Sequence, residues 1–161
     1  MLFLVQKPKE AIVKKFILVV RGQLYSDGQF DEFVFWKIKS VIEKLRFAIN
    51  DGSVLVLTSF APDDLQSAGI IANYLCAKFQ GCEIPNSSHD DVGRKKFIEL
   101  VDSYSSAADV IIVVMSPEKI EDFLPEFLLQ RFDGMWMRPH ALQVDEAYIV
   151  HFDTKRVEHV R

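Results

Sequence analysis

Three unbroken apolar runs limit what this chain can become: Phe16 to Val20 (FILVV), Val54 to Leu57 (VLVL) and Val110 to Val114 (VIIVV). Successive strand residues point to opposite faces, so a run without a polar member needs cover on both sides. Parallel strands between two layers of helices provide that cover.

The intervening segments read as the helices. Phe30, Phe33, Val34, Ile38, Val41, Ile42, Leu45 and Ile49 recur at three-and-four spacing and stop at Asn50-Asp51-Gly52, while Ser26 and Gln29 are spaced as a capping box ahead of them. Pro62, followed by Asp63 and Asp64, marks the first turn of a second helix, with Leu65, Ala68, Ala72, Leu75 and Phe79 expected toward the core. A third helix is expected over 91–104, with Val92, Ile98 and Val101 inward and Lys95 and Lys96 outward. Ser116 and Pro117 launch a fourth, whose stripe is Ile120, Phe123, Leu124, Phe127 and Leu128. Pro125 removes a backbone donor inside it and predicts a kink or break near Glu121 to Pro125. AYIVHF (147–152), a turn over Asp153 to Arg156 and VEHV (157–160) predict a terminal hairpin, with His151 and His159 set to face each other across it.

The expected architecture is a single three-layer α/β/α domain over residues 1–161, with a mixed, mostly parallel central sheet. A chain of 161 residues is long enough to bury such a core.

Charge and cysteine usage narrow the function. A net charge of −4 and a pI near 5.6 disfavour nucleic acid and anionic membrane surfaces. MLFLV at the start is followed too soon by Gln6, Lys7 and Pro8 to form a signal-peptide core, and no run approaches the roughly 20 residues of a membrane span. Cys76 and Cys82 match neither a redox pair nor zinc-ligand spacing, so free thiols in a reducing cytoplasm are expected.

Nucleotide cofactors are not expected, because neither G-x-G-x-x-G nor a G-x-x-x-x-G-K-[ST] loop occurs. The hydrolase elbow G-x-S-x-G is also missing. His89, between Ser88 and Asp90, offers one imidazole beside carboxylates, a weak metal signal, and no metal is expected.

In alternating β and α folds, ligands sit at the carboxyl ends of strands. Here those ends carry Val20-Arg21-Gly22-Gln23, Thr58-Ser59 and Met115-Ser116-Pro117. Together with Leu65-Gln66-Ser67-Ala68 and the closing EAYIVHFDTKRVEHVR, these residues resemble the histidine phosphatase (phosphoglycerate mutase-like) superfamily, and within it the small phosphohistidine phosphatases. The resemblance runs from about residue 16 to the C-terminus and leaves residues 1–15 outside it.

That family carries Arg-His-Gly-Glu after its first strand, Ser-Ser-Pro-x-x-Arg-Ala-x-Gln-Thr-Ala at the second strand-to-helix junction, and a second histidine in a turn after a later strand. Laid without gaps on this chain, the nucleophilic histidine falls on Arg21, the first arginine on Val20, the second on Asp63 and the second histidine on Ser116. A one-residue gap would keep Arg21 as the arginine and delete the histidine. Either alignment leaves no nucleophile, since guanidinium stays protonated and cannot attack phosphorus. A carboxylate also stands where a phosphate clamp would be.

The resemblance therefore implies no catalytic residues and a degenerate phosphate pocket of Val20, Arg21, Gly22, Ser59, Asp63 and Ser116, with Arg21 expected to pair with Asp63. The reading is a pseudophosphatase with a binding or regulatory role and weak anion binding at most. The alternative is an active phosphatase working through a rearranged site, with His89 or another histidine swung inward. Phe35, Trp36, Met135, Trp136 and Met137 form the expected surface for a protein partner or a homodimer.

Overall fold

The apolar runs do become neighbouring strands. The computed structural model describes residues 14–50, 52–85, 91–132 and 137–161. Its elements are β1 (Lys15–Val20), β2 (Tyr25–Ser26), β3 (Gln29–Phe30), α1 (Glu32–Ile49), β4 (Val54–Thr58), α2 (Pro62–Leu75), β5 (Lys78–Gly81), α3 (Asp91–Ser103), β6 (Val110–Met115), α4 (Pro117–Arg131), β7 (Ala147–His151) and β8 (Arg156–Val160).

The main sheet has the order β5-β4-β6-β1-β7-β8. β6 lies between β1 and β4, both parallel to it, so Ile112 is flanked by Ile17 on one side and Val56 on the other. β5 is parallel to β4, while β7 and β8 run antiparallel at the other end.

Alternation then divides the core in two. Ile17, Val19, Val56, Ile112 and Val114 pack with Ile38, Val41, Ile42 and Leu45 of α1 and with Ala68, Ile71 and Ala72 of α2. Phe16, Leu18, Leu57, Ile111 and Val113 pack with Phe97, Ile98 and Val101 of α3 and with Ile120, Phe123, Leu124 and Phe127 of α4. Removing each such side chain from water contributes about 1.5–3 kcal/mol, and the two cores share one sheet. The three-layer α/β/α architecture is as expected.

Several local expectations are corrected. Ser26 and Gln29 do not cap α1; they flank a tight turn in which Asp27 (φ 52°) and Gly28 (φ 75°) are both left-handed, giving the small hairpin β2-β3. The cap is Asp31, whose carboxylate accepts the N–H groups of Phe33 and Val34 at 3.0 and 3.2 Å. Phe30 and Phe33 consequently lie outside the core, Phe33 at 69% exposure. α2 begins at Pro62 as read but closes at Cys76, in the left-handed region, so Phe79 belongs to the exposed edge strand β5. Leu65 and Leu75 are only half-buried.

Val92 is also exposed, with Phe97 taking the inward place on α3. α4 runs through Pro125 as a single helix. The terminal hairpin forms, but Tyr148 faces His159 and His151 faces Arg156, so the two histidines are not opposed.

Candidate functional site

The carboxyl ends of β1, β4 and β6 meet as expected. The N–H of Arg21 donates to the carbonyl of Met115 at 2.9 Å, tying the chain's exit from β1 to the end of β6. Val20 is buried beneath this junction.

Gly22 then turns against α1. A Cβ there would fall 2.7 Å from Val34 Cγ1 and 2.9 Å from Ile38 Cδ1, a close approach that only glycine permits without displacing those side chains. The Ser67 hydroxyl satisfies both Gly22 backbone groups, accepting its N–H at 2.8 Å and donating to its carbonyl at 3.1 Å. Buried backbone with both groups paired leaves nothing directed toward a ligand.

Ser59 directly follows β4 and is buried. Its hydroxyl accepts the N–H of Ala61 at 3.2 Å and donates to Asp64 Oδ2 at 2.5 Å. Asp64 is the carboxylate that meets Arg21, with Nη1 3.5 Å from Oδ1. The expected Arg21–Asp63 pair is thus corrected by one residue. Asp64 shares the inward face of α2 with Ala68 and Ile71, whereas Asp63 is half-buried on the first turn and takes no part in the pair.

Exposure decides how these contacts rank. The Asp64 side chain is 3% exposed and that of Arg21 39%. A desolvated carboxylate needs partners, and the short Ser59 bond is the stronger one. The half-exposed guanidinium at the limit of hydrogen-bond reach adds roughly 1 kcal/mol or less.

Ser116 is the N-cap of α4, its hydroxyl accepting the N–H of Lys119 at 3.3 Å. It therefore completes a helix terminus.

The described histidines lie elsewhere. His159 Nε2 is 2.5 Å from Glu146 Oε2, and its ring is stacked with His140 at 6.1 Å and tilted against Tyr148 at 5.1 Å. His151 faces Glu158 at 3.5 Å, at the amino end of β1. His89, Met135 and Trp136 lie outside the described residues. Among the described residues, no cluster of three or more His, Cys, Asp or Glu side chains could hold a metal ion. Of the expected partner surface, Trp36 is exposed, but Phe35 and Met137 pack against the cores.

Beside the Ser59 network lies an open cleft of about 640 Å³, lined by the loop after β4, the segment after β5 and the starts of α3 and α4. Cys82 borders it, drawn in by its N–H bond to the Thr58 carbonyl at 2.8 Å. Burial pushes the Cys82 thiol above its ordinary pKa, with a backbone hydrogen bond at Thr58 acting weakly the other way.

The sequence reading missed Asp64 and Ser67 as members of the site, and Lys119 beside it. The spacing of Asp64 with Ala68 and Ile71 was the available signal for the first, since those apolar residues set the phase of α2.

No protein-family model matches the sequence, and no curated protein matches it. Solved structures do. One, assigned as the phosphohistidine phosphatase SixA from Agrobacterium tumefaciens, superposes with a TM-score of 0.63 at 12% identity, covering 93% of this chain and 99% of that one. A phosphoglycerate mutase from Plasmodium falciparum gives 0.55 at 18% identity, covering 91% and 88%. A mycobacterial glucosyl-3-phosphoglycerate phosphatase complexed with VO3 gives 0.55 at 10% identity, covering 91% and 96%. The phosphoglycerate mutase-like fold expected from the strand-end motifs is therefore the fold of this chain.

Proposed function

We propose that this chain uses a histidine phosphatase fold for binding or regulation and carries out no phosphoryl transfer. The observation that carries the reading is the network at the strand ends: Ser59 donates to the buried Asp64 carboxylate, which also faces Arg21, where a phosphoryl group would have to sit. Catalysis there would need a nucleophile and positive groups aimed at the developing charge. The site instead offers a guanidinium, which cannot attack, and a buried carboxylate, which repels the incoming anion.

A protein partner or a second copy would engage the exposed aromatic side of α1. Trp36 lies there with Phe33, and the ammonium groups of Lys39 and Lys37 sit 4.8 and 4.7 Å from their ring centres. Among the described residues no helix is long and apolar enough to cross a membrane, and the free thiols Cys76 and Cys82 suit a reducing cytoplasm.

One observation favours the alternative of an active phosphatase with a rearranged site. The His159–Glu146 pair is a carboxylate-oriented imidazole, and Tyr148, opposite His159, pairs with Leu18 in the carboxyl half of β1.

A phosphatase assay on the purified protein, with p-nitrophenyl phosphate and phosphohistidine as substrates and a chelator control, separates the readings. The expected result is no turnover above buffer. Turnover abolished by His159→Ala or His89→Ala would replace the binding reading with the rearranged enzyme.

A further inference from the structure

The cleft beside the closed network has a chemistry of its own. Among the described residues its walls are Phe60, Ile84, Pro85 and Val92 on the apolar side, and Lys96 and Lys119 with one carboxylate, Glu83, on the charged side. Ser59 of the closed network lines it, whereas Arg21, Gly22 and Ser116 do not. Its volume of about 640 Å³ falls within the usual range for small-molecule sites.

Three features point to an anionic, partly flat occupant. First, in a chain of net charge −4, the described lining residues place two cations against one anion, and among the described residues neither ammonium lies within ion-pair distance of a carboxylate. Second, Lys119 stands in the first turn of α4, where the helix dipole is positive and a cation is locally unfavourable. A local rule broken without an internal partner is expected at functional or strained positions. Third, Phe60 is 62% exposed and its ring lies over Gly81, where a Cβ would be 2.7 Å from Phe60 Cε1. An exposed ring beside two ammonium groups without a described ion-pair partner suits a molecule with an aromatic part and a charged head.

We propose that this cleft binds a small aromatic anion, its head group on Lys96 and Lys119 and its ring against Phe60, Ile84, Pro85 and Val92. The proposal rests on the binding reading above and names the class of ligand that reading would serve.

Calorimetric titration with 2-naphthyl phosphate, 2-naphthoate and inorganic phosphate tests it. An aromatic anion is expected to bind at least about ten-fold more tightly than inorganic phosphate, with the better of the two naphthyl compounds identifying the preferred head group. Lys96→Gln combined with Lys119→Gln should weaken binding about ten-fold or more, while Lys95→Gln, on the outward side of α3, should leave it unchanged. Equal affinity for inorganic phosphate, no effect of the double change, or an equal loss in Lys95→Gln would each overturn the site. Hydrolysis of 2-naphthyl phosphate tests the other reading separately. Turnover with lysine-dependent binding would leave the cleft standing and remove the non-catalytic function, whereas no binding and no turnover would do the reverse.

Discussion

Two neighbouring regions at one end of the sheet handle polar groups in opposite ways. At the ends of β1 and β4, Ser67 closes Gly22, Ser59 closes Asp64, and Asp64 faces Arg21, so each group is matched within the fold. In the adjoining cleft, Lys96 and Lys119 meet no described carboxylate, and Phe60 stays exposed. The difference teaches that neighbouring stretches of one sheet end can either satisfy their polar groups internally or leave them facing solvent. Substitutions in the closed region should change stability, and those in the open one should change binding.

The largest effect is expected from Ser67→Ala, which leaves both backbone groups of Gly22 buried and unmatched. Chemical denaturation should show a loss of about 2–3 kcal/mol. A loss under about 0.5 kcal/mol would mean that the region is wetter and more open than described.

Gly22→Ala should come next, at about 1–3 kcal/mol, because its methyl must displace Val34 and Ile38. The same measurement on Lys96→Gln with Lys119→Gln should move stability by no more than about 0.5 kcal/mol, as for surface changes. That contrast is the sharpest form of the comparison.

Much of this was legible in the chain. VIIVV and FILVV could only be strands covered on both faces, and the Ile38 to Ile49 stripe could only be the inner side of a helix. β5 escaped notice because KFQG is short, lies at an edge and has nothing to alternate against. The Asp27-Gly28 turn was masked by a chance capping-box spacing, and turn chemistry prevailed because both residues adopt positive φ. At the site, the position of Arg21 at the carboxyl end of β1 could be read directly. The partner of Arg21 could not, since a difference of one helical position between Asp63 and Asp64 depends on the phase set by Ala68 and Ile71. Nor could the cleft be foreseen, since it joins residues from four separate segments.

A smaller effect should appear in alkali. Burial raises the thiol of Cys82 beside the cleft, and burial, with nearby carboxylates, raises the phenol of Tyr148, from ordinary values near 9 and 10. The unfolded chain then loses these protons first, so their contribution is fully present below about pH 9 and is lost as pH rises through the folded-state values. Thermal unfolding followed from pH 8 to 11 should show a falling midpoint, less steep in Cys82→Ala. A midpoint rising over that interval would contradict these shifts.

The central claim is that the strand ends no longer accept a phosphoryl group. Its most direct measurement is a search for a covalent phosphoenzyme after exposure to a radiolabelled phosphoryl donor, with acid-labile label quantified on the intact protein. The account expects none above a heat-denatured control, and stoichiometric label mapping to any histidine would contradict it.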